Sequence, residues 1–142
     1  MKIVIVGAGA VGFDLARTLS RRDHDVIIIE KEPRKANRVQ EQLDCRIVIG
    51  NGANPHFLTE VGMKDCDLFA SVTDKDEVNI ISCLTAHRLG AGTKVARVRS
   101  ADYYRDDHLV LDGIDLAINP ELEAIRTVKQ LLFETAASDV HE

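Results

Sequence analysis

The chain has 142 residues, 45% of them hydrophobic, enough to bury one core and too few for two ordinary domains. Its formal net charge of -5 argues against a nucleic-acid partner, because phosphate contacts call for a basic face. No apolar run reaches the ~18 residues of a membrane-spanning helix, so direct membrane insertion is not expected and a cytoplasmic chain is.

The first predicted strand, residues 2–6, runs straight into Gly7-Ala8-Gly9-Ala10-Val11-Gly12 and then a helical pattern over 10–22. In such a Gly-x-Gly-x-x-Gly turn the first glycine allows the tight bend. The second lets backbone approach a pyrophosphate, and the third lets helix and strand pack closely. The helix start adds free N–H groups and a favourable dipole for an anion.

A second strand is predicted at 26–30. Like the first it is apolar almost throughout, the pattern of a parallel strand buried on both faces. It ends on Glu30, eighteen positions after Gly12, where a carboxylate can accept hydrogen bonds from both hydroxyls of an adenosine ribose. That favours NAD or NADH. Lys31 and Arg34 follow so closely that charge alone leaves NADP open. A helix over 33–43 and a strand over 46–49 lead to the turn Gly50-Asn51-Gly52-Ala53-Asn54, in which Asn51 suits either an adenine edge or plain turn chemistry.

After a helix at 54–61, a strand at 67–73 delivers Thr73 and Asp74 to the turn that opens a helix over 75–90. Either residue serves as its expected N-cap, and both should border a ligand at the topological switch point. In that helix Val78, Ile81 and Leu84 form a stripe at helical spacing, read as core. The strand over 94–99 carries Arg97 and Arg99 on one face. An arginine there calls for an anion, and Arg97 is read either as a phosphate or ribose contact or as the partner of Asp74 or Glu77. A helix over 101–111, a strand over 115–118 and a helix over 120–136 follow. The last helix has the stripe Leu122, Ile125, Val128 and Leu132, also read as core. Pro33, Pro55 and Pro120 punctuate helix starts.

These alternations predict an α/β fold, a Rossmann-like doubly wound parallel sheet of six strands in the order 3-2-1-4-5-6 with helices on both faces. Residues 1–136 form the domain, and 137–142 read as a frayed tail or the start of a connection to something further. The nucleotide-contacting set is Gly7, Ala8, Gly9, Ala10, Val11, Gly12, Glu30, Lys31, Asn51, Thr73, Asp74 and Arg97. Neither a catalytic proton donor with a substrate site nor a metal-ligating Cys or His cluster is legible, which points away from an enzyme.

The same residues give a family resemblance. Met1 to Gly12, Glu30 at its strand end, residues 65–73 running into Glu77 and Asn79, residues 95–100, and Ile118-Asn119-Pro120-Glu121 stand in order along nearly the whole chain. Together they resemble the nucleotide-binding KTN, or RCK N-terminal, domain of Trk-type potassium uptake regulators. The resemblance implies a cytoplasmic regulatory subunit, peripheral to the inner face of the membrane, working with a membrane potassium-translocating subunit. It also implies assembly as a homodimer or larger ring, and binding of NAD, NADH or the adenine nucleotides ATP and ADP. Residue by residue it assigns the phosphate turn to Gly7, Ala8, Gly9, Ala10 and Val11, the ribose to Glu30, and further contacts to Thr73, Asp74 and Arg97. Asn51 departs from it, since many members carry an aspartate there. Two alternatives stay open: the detached cofactor domain of an NAD-dependent oxidoreductase, and the sensor of a potassium efflux antiporter or channel.

Overall fold

The computed structural model describes the backbone of residues 1–140 and the side chains of residues 1–136. Its elements are β1 (Lys2–Val6), α1 (Ala10–Ser20), β2 (Asp25–Glu30), α2 (Pro33–Gln42), β3 (Arg46–Ile49), α3 (Pro55–Val61) and β4 (Leu68–Ser71). They continue with α4 (Asp76–Arg88), β5 (Thr93–Arg97), β6 (Tyr104–Arg105), β7 (His108–Leu109), β8 (Leu116–Ile118) and α5 (Pro120–Val140). Six strands pair in parallel in the order β3-β2-β1-β4-β5-β8, the expected doubly wound topology with β8 as its sixth strand. Val6 sits between Ile29 of β2 and Ser71 of β4, so the chain leaves β1 and β4 side by side at the switch point.

The strand pattern explains the two cores. Successive side chains of β1 and β2 point to opposite faces. Val4, Val6, Ile27 and Ile29 therefore join Leu58, Phe69 and Cys83 on one face, while Ile3, Ile5, Val26 and Ile28 join Ala16, Val39 and Val72 on the other. Each fully buried aliphatic side chain stabilises the fold by roughly 1.5 to 3 kcal/mol. Pro33, Pro55 and Pro120 are the first residues of α2, α3 and α5, where a missing N–H forfeits no intrahelical bond.

Four expectations are corrected. Residues 101–111 form no α-helix: a single 3-10 turn over Ala101–Tyr103 leads into the antiparallel pair β6–β7, reversed at Asp106 and Asp107 with φ of 50° and 64°. Aspartate tolerates the left-handed region, and two in succession give the hairpin turn its form. The stripe of α4 is rotated. Asn79, Ile80, Ser82, Cys83 and Ala86 are buried, whereas Ile81 is 50% exposed, because small residues let the helix approach β4 and β5 closely. The residue before α4 is Lys75, with no side-chain cap, so neither Thr73 nor Asp74 is the N-cap; Thr73 Oγ1 instead accepts the Lys75 N–H at 3.2 Å.

The fourth correction concerns α5, which runs to Val140 and so includes part of the expected tail; residues 141–142 lie outside the described residues. Its stripe is not core. Leu122, Ile125, Val128 and Leu132 are 37 to 66% exposed, because among the described residues none packs in either core. Among the described residues no helix is long and apolar enough to cross a membrane.

Candidate functional site

At the carboxyl edge of β1, β2, β3, β4 and β5 lies a cleft of about 490 Å³. Ligands of open α/β sheets bind at this edge, and the volume lies within the usual span for small-molecule sites. Gly7, Gly9, Ala10, Val11, Glu30, Lys31, Asn51, Thr73, Asp74 and Arg97 all line it. Ala8 and Gly12 of the expected set do not, and each acts from behind the cleft wall.

The three glycines of the first turn divide their roles. Gly7 has φ of 109° and packs against Thr73, so it needs both left-handed backbone and the absence of a side chain. A Cβ on Gly12 would overlap the Gly7 carbonyl oxygen. Gly9 is different. Its φ of -73° and ψ of -168° suit any residue, and a Cβ there would meet nothing within 4 Å. No neighbour within the described residues requires glycine at position 9, and the residue lines the cleft. The first intrahelical bond of α1 runs from Phe13 N–H to Gly9 carbonyl, so the N–H groups of residues 10–12 have no intrahelical acceptor, and no side chain caps them. They form an anion-favouring helix start.

Glu30 is only 8% exposed, yet it lines the cleft. Ala8 N–H donates to its Oε1 and Glu32 N–H to its Oε2, both at 2.9 Å. Backbone donors therefore hold the carboxylate at the end of β2, and each oxygen keeps a further acceptor direction for ligand hydroxyls. Ala8, which is buried, contributes through this bond rather than by facing the cleft.

On the β3 side, Asn51 Oδ1 accepts the Ala53 N–H at 2.9 Å, so the turn reading of Asn51 holds while the residue also lines the cleft. Gly52 is required here: a Cβ would press on both methyl groups of Val6. Gly52 escaped the sequence reading as a site residue, although the Asn-Gly dipeptide marked the turn.

The opposite wall depends on Asn79, a fully buried polar residue that the sequence reading placed in the pattern without a role. Its Oδ1 accepts from Thr73 N–H at 2.9 Å, Thr73 Oγ1 at 2.7 Å and Ser71 Oγ at 3.1 Å. Its Nδ2 donates to the carbonyls of Thr73 at 3.0 Å and Arg97 at 2.8 Å. One side chain thus ties the ends of β4 and β5 to α4. An asparagine amid Val78, Ile80 and Ile81 was the available signal.

Arg97 is 14% exposed, and its ion-pair partner is Glu121 of α5 at 3.1 Å, not Asp74 or Glu77. Its Nη1 also donates to the Thr73 carbonyl at 3.5 Å. Arg99, past the end of β5, donates to the Asp74 carbonyl at 2.6 Å. Backbone N–H donation at Glu121 itself, together with Arg97 and Arg99, holds the Glu121 carboxyl below its usual range. Lys35, Lys75 and Glu32 complete the charged rim, and all three were missed as site residues because they sit on helix starts in a charge-rich context. Tyr103 and Tyr104 stay out of the cleft, donating to Glu77 at 3.0 Å and the Val98 carbonyl at 2.7 Å. The cleft therefore offers an anion-favouring turn, a fixed ribose-type acceptor and a cation opposite, which fits the adenosine and phosphates shared by NAD and adenine nucleotides.

Comparison with known proteins agrees with this geometry. Residues 3–120 match the model of the TrkA-N domain. The chain is 38% identical over 148 aligned positions to the Trk system potassium uptake protein TrkA of Azorhizobium caulinodans, covering 98% of this chain and 32% of that protein. It thus spans about a third of the length of this curated relative. The solved TrkA-N domain of inner membrane protein ybaL from Escherichia coli superposes with a TM-score of 0.78 at 21% identity, covering 92% of this chain and 96% of the other. The GsuK channel bound to NAD superposes with a TM-score of 0.72 at 22% identity, covering 82% of this chain and 21% of the other.

Proposed function

The chain belongs to the TrkA-N domain family, and from that premise we propose that it is a nucleotide-sensing regulatory domain of a potassium uptake system. It binds NAD or NADH, with ATP and ADP as competing adenine nucleotides, and carries out no reaction on them. The observation that carries this reading is Gly9, a residue that lines the cleft and that neither backbone conformation nor internal packing requires to be glycine. Glu30 supports it as a carboxylate aimed by two backbone N–H groups at the position of a ribose.

The residues divide the ligand between them. Gly7, Gly9, Ala10 and Val11 take the phosphates, Glu30 accepts from the ribose hydroxyls, and Asn51 with Lys31 borders the adenosine side. Thr73, Asp74 and Arg97 face the distal part of the ligand. The A. caulinodans relative is named as a potassium uptake protein and the GsuK structure holds NAD, which supports both the ligand class and the partner, a membrane potassium-translocating subunit. The domain then works on the cytoplasmic face of that subunit. The apolar side of α5, exposed from Leu122 to Phe133, supports assembly into a homodimer or ring, in which a nucleotide that prefers one arrangement shifts the assembly toward it.

Calorimetric titration with NADH, NAD, ATP, ADP and NADPH tests the reading. Wild type is expected to bind at least NADH or NAD. Gly9→Asp, which places a carboxylate in the phosphate turn, and Glu30→Ala should each weaken binding about tenfold or more, the scale of one or two lost charge-assisted hydrogen bonds. Absence of binding by the folded wild type, or steady oxidation of NADH with small carbonyl compounds, overturns it.

A further inference from the structure

Arg97 joins the cleft to α5. Arg97 lines the cleft on one side and reaches Glu121, in the first turn of α5, on the other. Its Nη2 lies 3.1 Å from Glu121 Oε1, while its Nε is buried without a hydrogen-bond partner among the described residues. Arg99 stands farther from the same carboxylate, at 3.9 Å, and is committed to the Asp74 carbonyl. No apolar residue of α5 belongs to either core among the described residues. The start of the helix is instead held by polar ties: Glu121 to Arg97 and Arg99, Asn119 Nδ2 to the Arg99 carbonyl at 3.3 Å, and Arg126 to Asp107 at 3.7 Å.

We propose that Arg97 is a shared counterion, held by Glu121 when the cleft contains no anion and divided between Glu121 and the ligand when a phosphate-bearing nucleotide binds, so that ligand charge loosens the root of α5. The inference rests on the nucleotide-binding reading above and adds to it the path by which the ligand acts on the rest of the chain. Two carboxylate or phosphate charges facing one guanidinium repel each other, and the single charge of a partly buried arginine cannot neutralise both. The coupling is reciprocal by linkage: whatever weakens the Arg97–Glu121 pair tightens anion binding, and anion binding weakens the pair by the same factor. Arg97 acts here as a positioning residue for α5 as well as a ligand contact.

The test is a double-mutant cycle in nucleotide binding, read by calorimetry with NADH and ADP, combined with amide hydrogen exchange over residues 119–128. Glu121→Gln, an exposed substitution that keeps the side-chain shape, is expected to tighten binding of both probes about fivefold, at the low end of site-to-site couplings. In an Arg97→Gln background the same change should have no effect. Arg97→Lys provides a second background that keeps the charge, in which Glu121→Gln should again tighten binding. In wild type, NADH should speed exchange at residues 119–126 and leave β1 and β2 unchanged. If wild type and Glu121→Gln bind equally well, or NADH slows exchange at the root of α5, the shared-counterion proposal fails while nucleotide binding stands. If folded wild type binds neither probe, both fail together.

Discussion

Ile3, Val4 and Ile5 of β1 and Ile27, Ile28 and Ile29 of β2 have no exposed surface, whereas Leu122, Ile125, Val128, Leu131, Leu132 and Phe133 of α5 are 37 to 76% exposed. The two regions contain the same kinds of side chain. They differ in what those side chains have to pack on. Around β1 the chain supplies neighbours on both faces of the sheet, and the cleft edge inherits that rigidity. After β8 the chain supplies ion pairs at the helix root and, among the described residues, no core packing for its stripe. A rigid ligand edge beside an element attached mainly through charges is an arrangement in which a ligand can move one without disturbing the other.

The largest contrast should come from truncating one phenylalanine in each region. Phe69→Ala removes a fully buried ring from between β1, β5 and α4 and is expected to lower unfolding free energy by about 3 to 5 kcal/mol in urea denaturation. Phe133→Ala removes a ring that is 76% exposed and should change the stability of the dilute monomer by less than about 0.5 kcal/mol. Sedimentation should show the opposite order, with Phe133→Ala weakening self-association. A large monomer destabilisation from Phe133→Ala would mean that α5 folds back onto its own sheet.

A smaller contrast separates two glycines three residues apart. Gly12→Ala drives a methyl group into the Gly7 carbonyl, and the shift needed to relieve it should cost roughly 2 to 3 kcal/mol. Gly9→Ala places its methyl in open space with an ordinary φ and should stabilise the folded chain by about 0.4 to 1 kcal/mol through the unfolded state. If both changes destabilise equally, Gly9 has a structural role and the functional reading of that residue fails.

Asn79→Ala comes next. It leaves the Thr73 N–H and the Arg97 carbonyl without their partner between β4, β5 and α4, at an expected cost of about 2 kcal/mol. Because Thr73 and Arg97 both line the cleft, NADH affinity should fall too. Asn79→Asp separates the effects: it keeps the acceptor for Thr73 and loses the donor to Arg97.

How far the sequence could be read follows the same division. The turn at Gly7 to Gly12, Glu30 and the alternation of strands were legible because each depends on local periodicity or on a glycine at a defined offset. The sheet order followed from the handedness of successive crossovers. What failed needed knowledge of tertiary neighbours. A stripe at helical spacing states that a face is apolar and not what covers it, so α5 read as core. In α4 the apolar stripe yielded to Asn79, Ser82 and Cys83: their small size, with the bonds of Asn79 to the ends of β4 and β5 and of Cys83 to the Val95 carbonyl, decides the buried face. Residues 101–111 contain Tyr, Leu and Val at spacings open to a helix, and only the paired aspartates at 106 and 107 signalled the reversal. Arg97 was found as an arginine needing an anion. Its partner, twenty-four residues away in α5, could not be read from sequence distance.

The smallest expected effect uses the cysteines to probe the same boundary between core and periphery. Burial pushes the Cys83 thiol up to about 12 and the Cys66 thiol up to about 11, while Cys45, half-buried beside β3, is raised by burial and by Asp44. An unfolded thiol ionises near 9. Above that pH the unfolded chain loses protons that the folded chain keeps, so stability present at neutral pH falls as pH rises, with the loss levelling off past the folded values. Between pH 9 and 10 each core thiol should contribute about 1 kcal/mol of that loss. Denaturation of wild type and of Cys66→Ala/Cys83→Ala at both pH values isolates the thiol part from lysine and tyrosine titration, and the double variant should show the flatter dependence. In the folded chain Cys45 should react first with a thiol reagent at pH 8. Equal pH slopes, or early labelling of Cys83, would show that the face of α4 against β5 opens far more readily than the packing around Cys83 indicates.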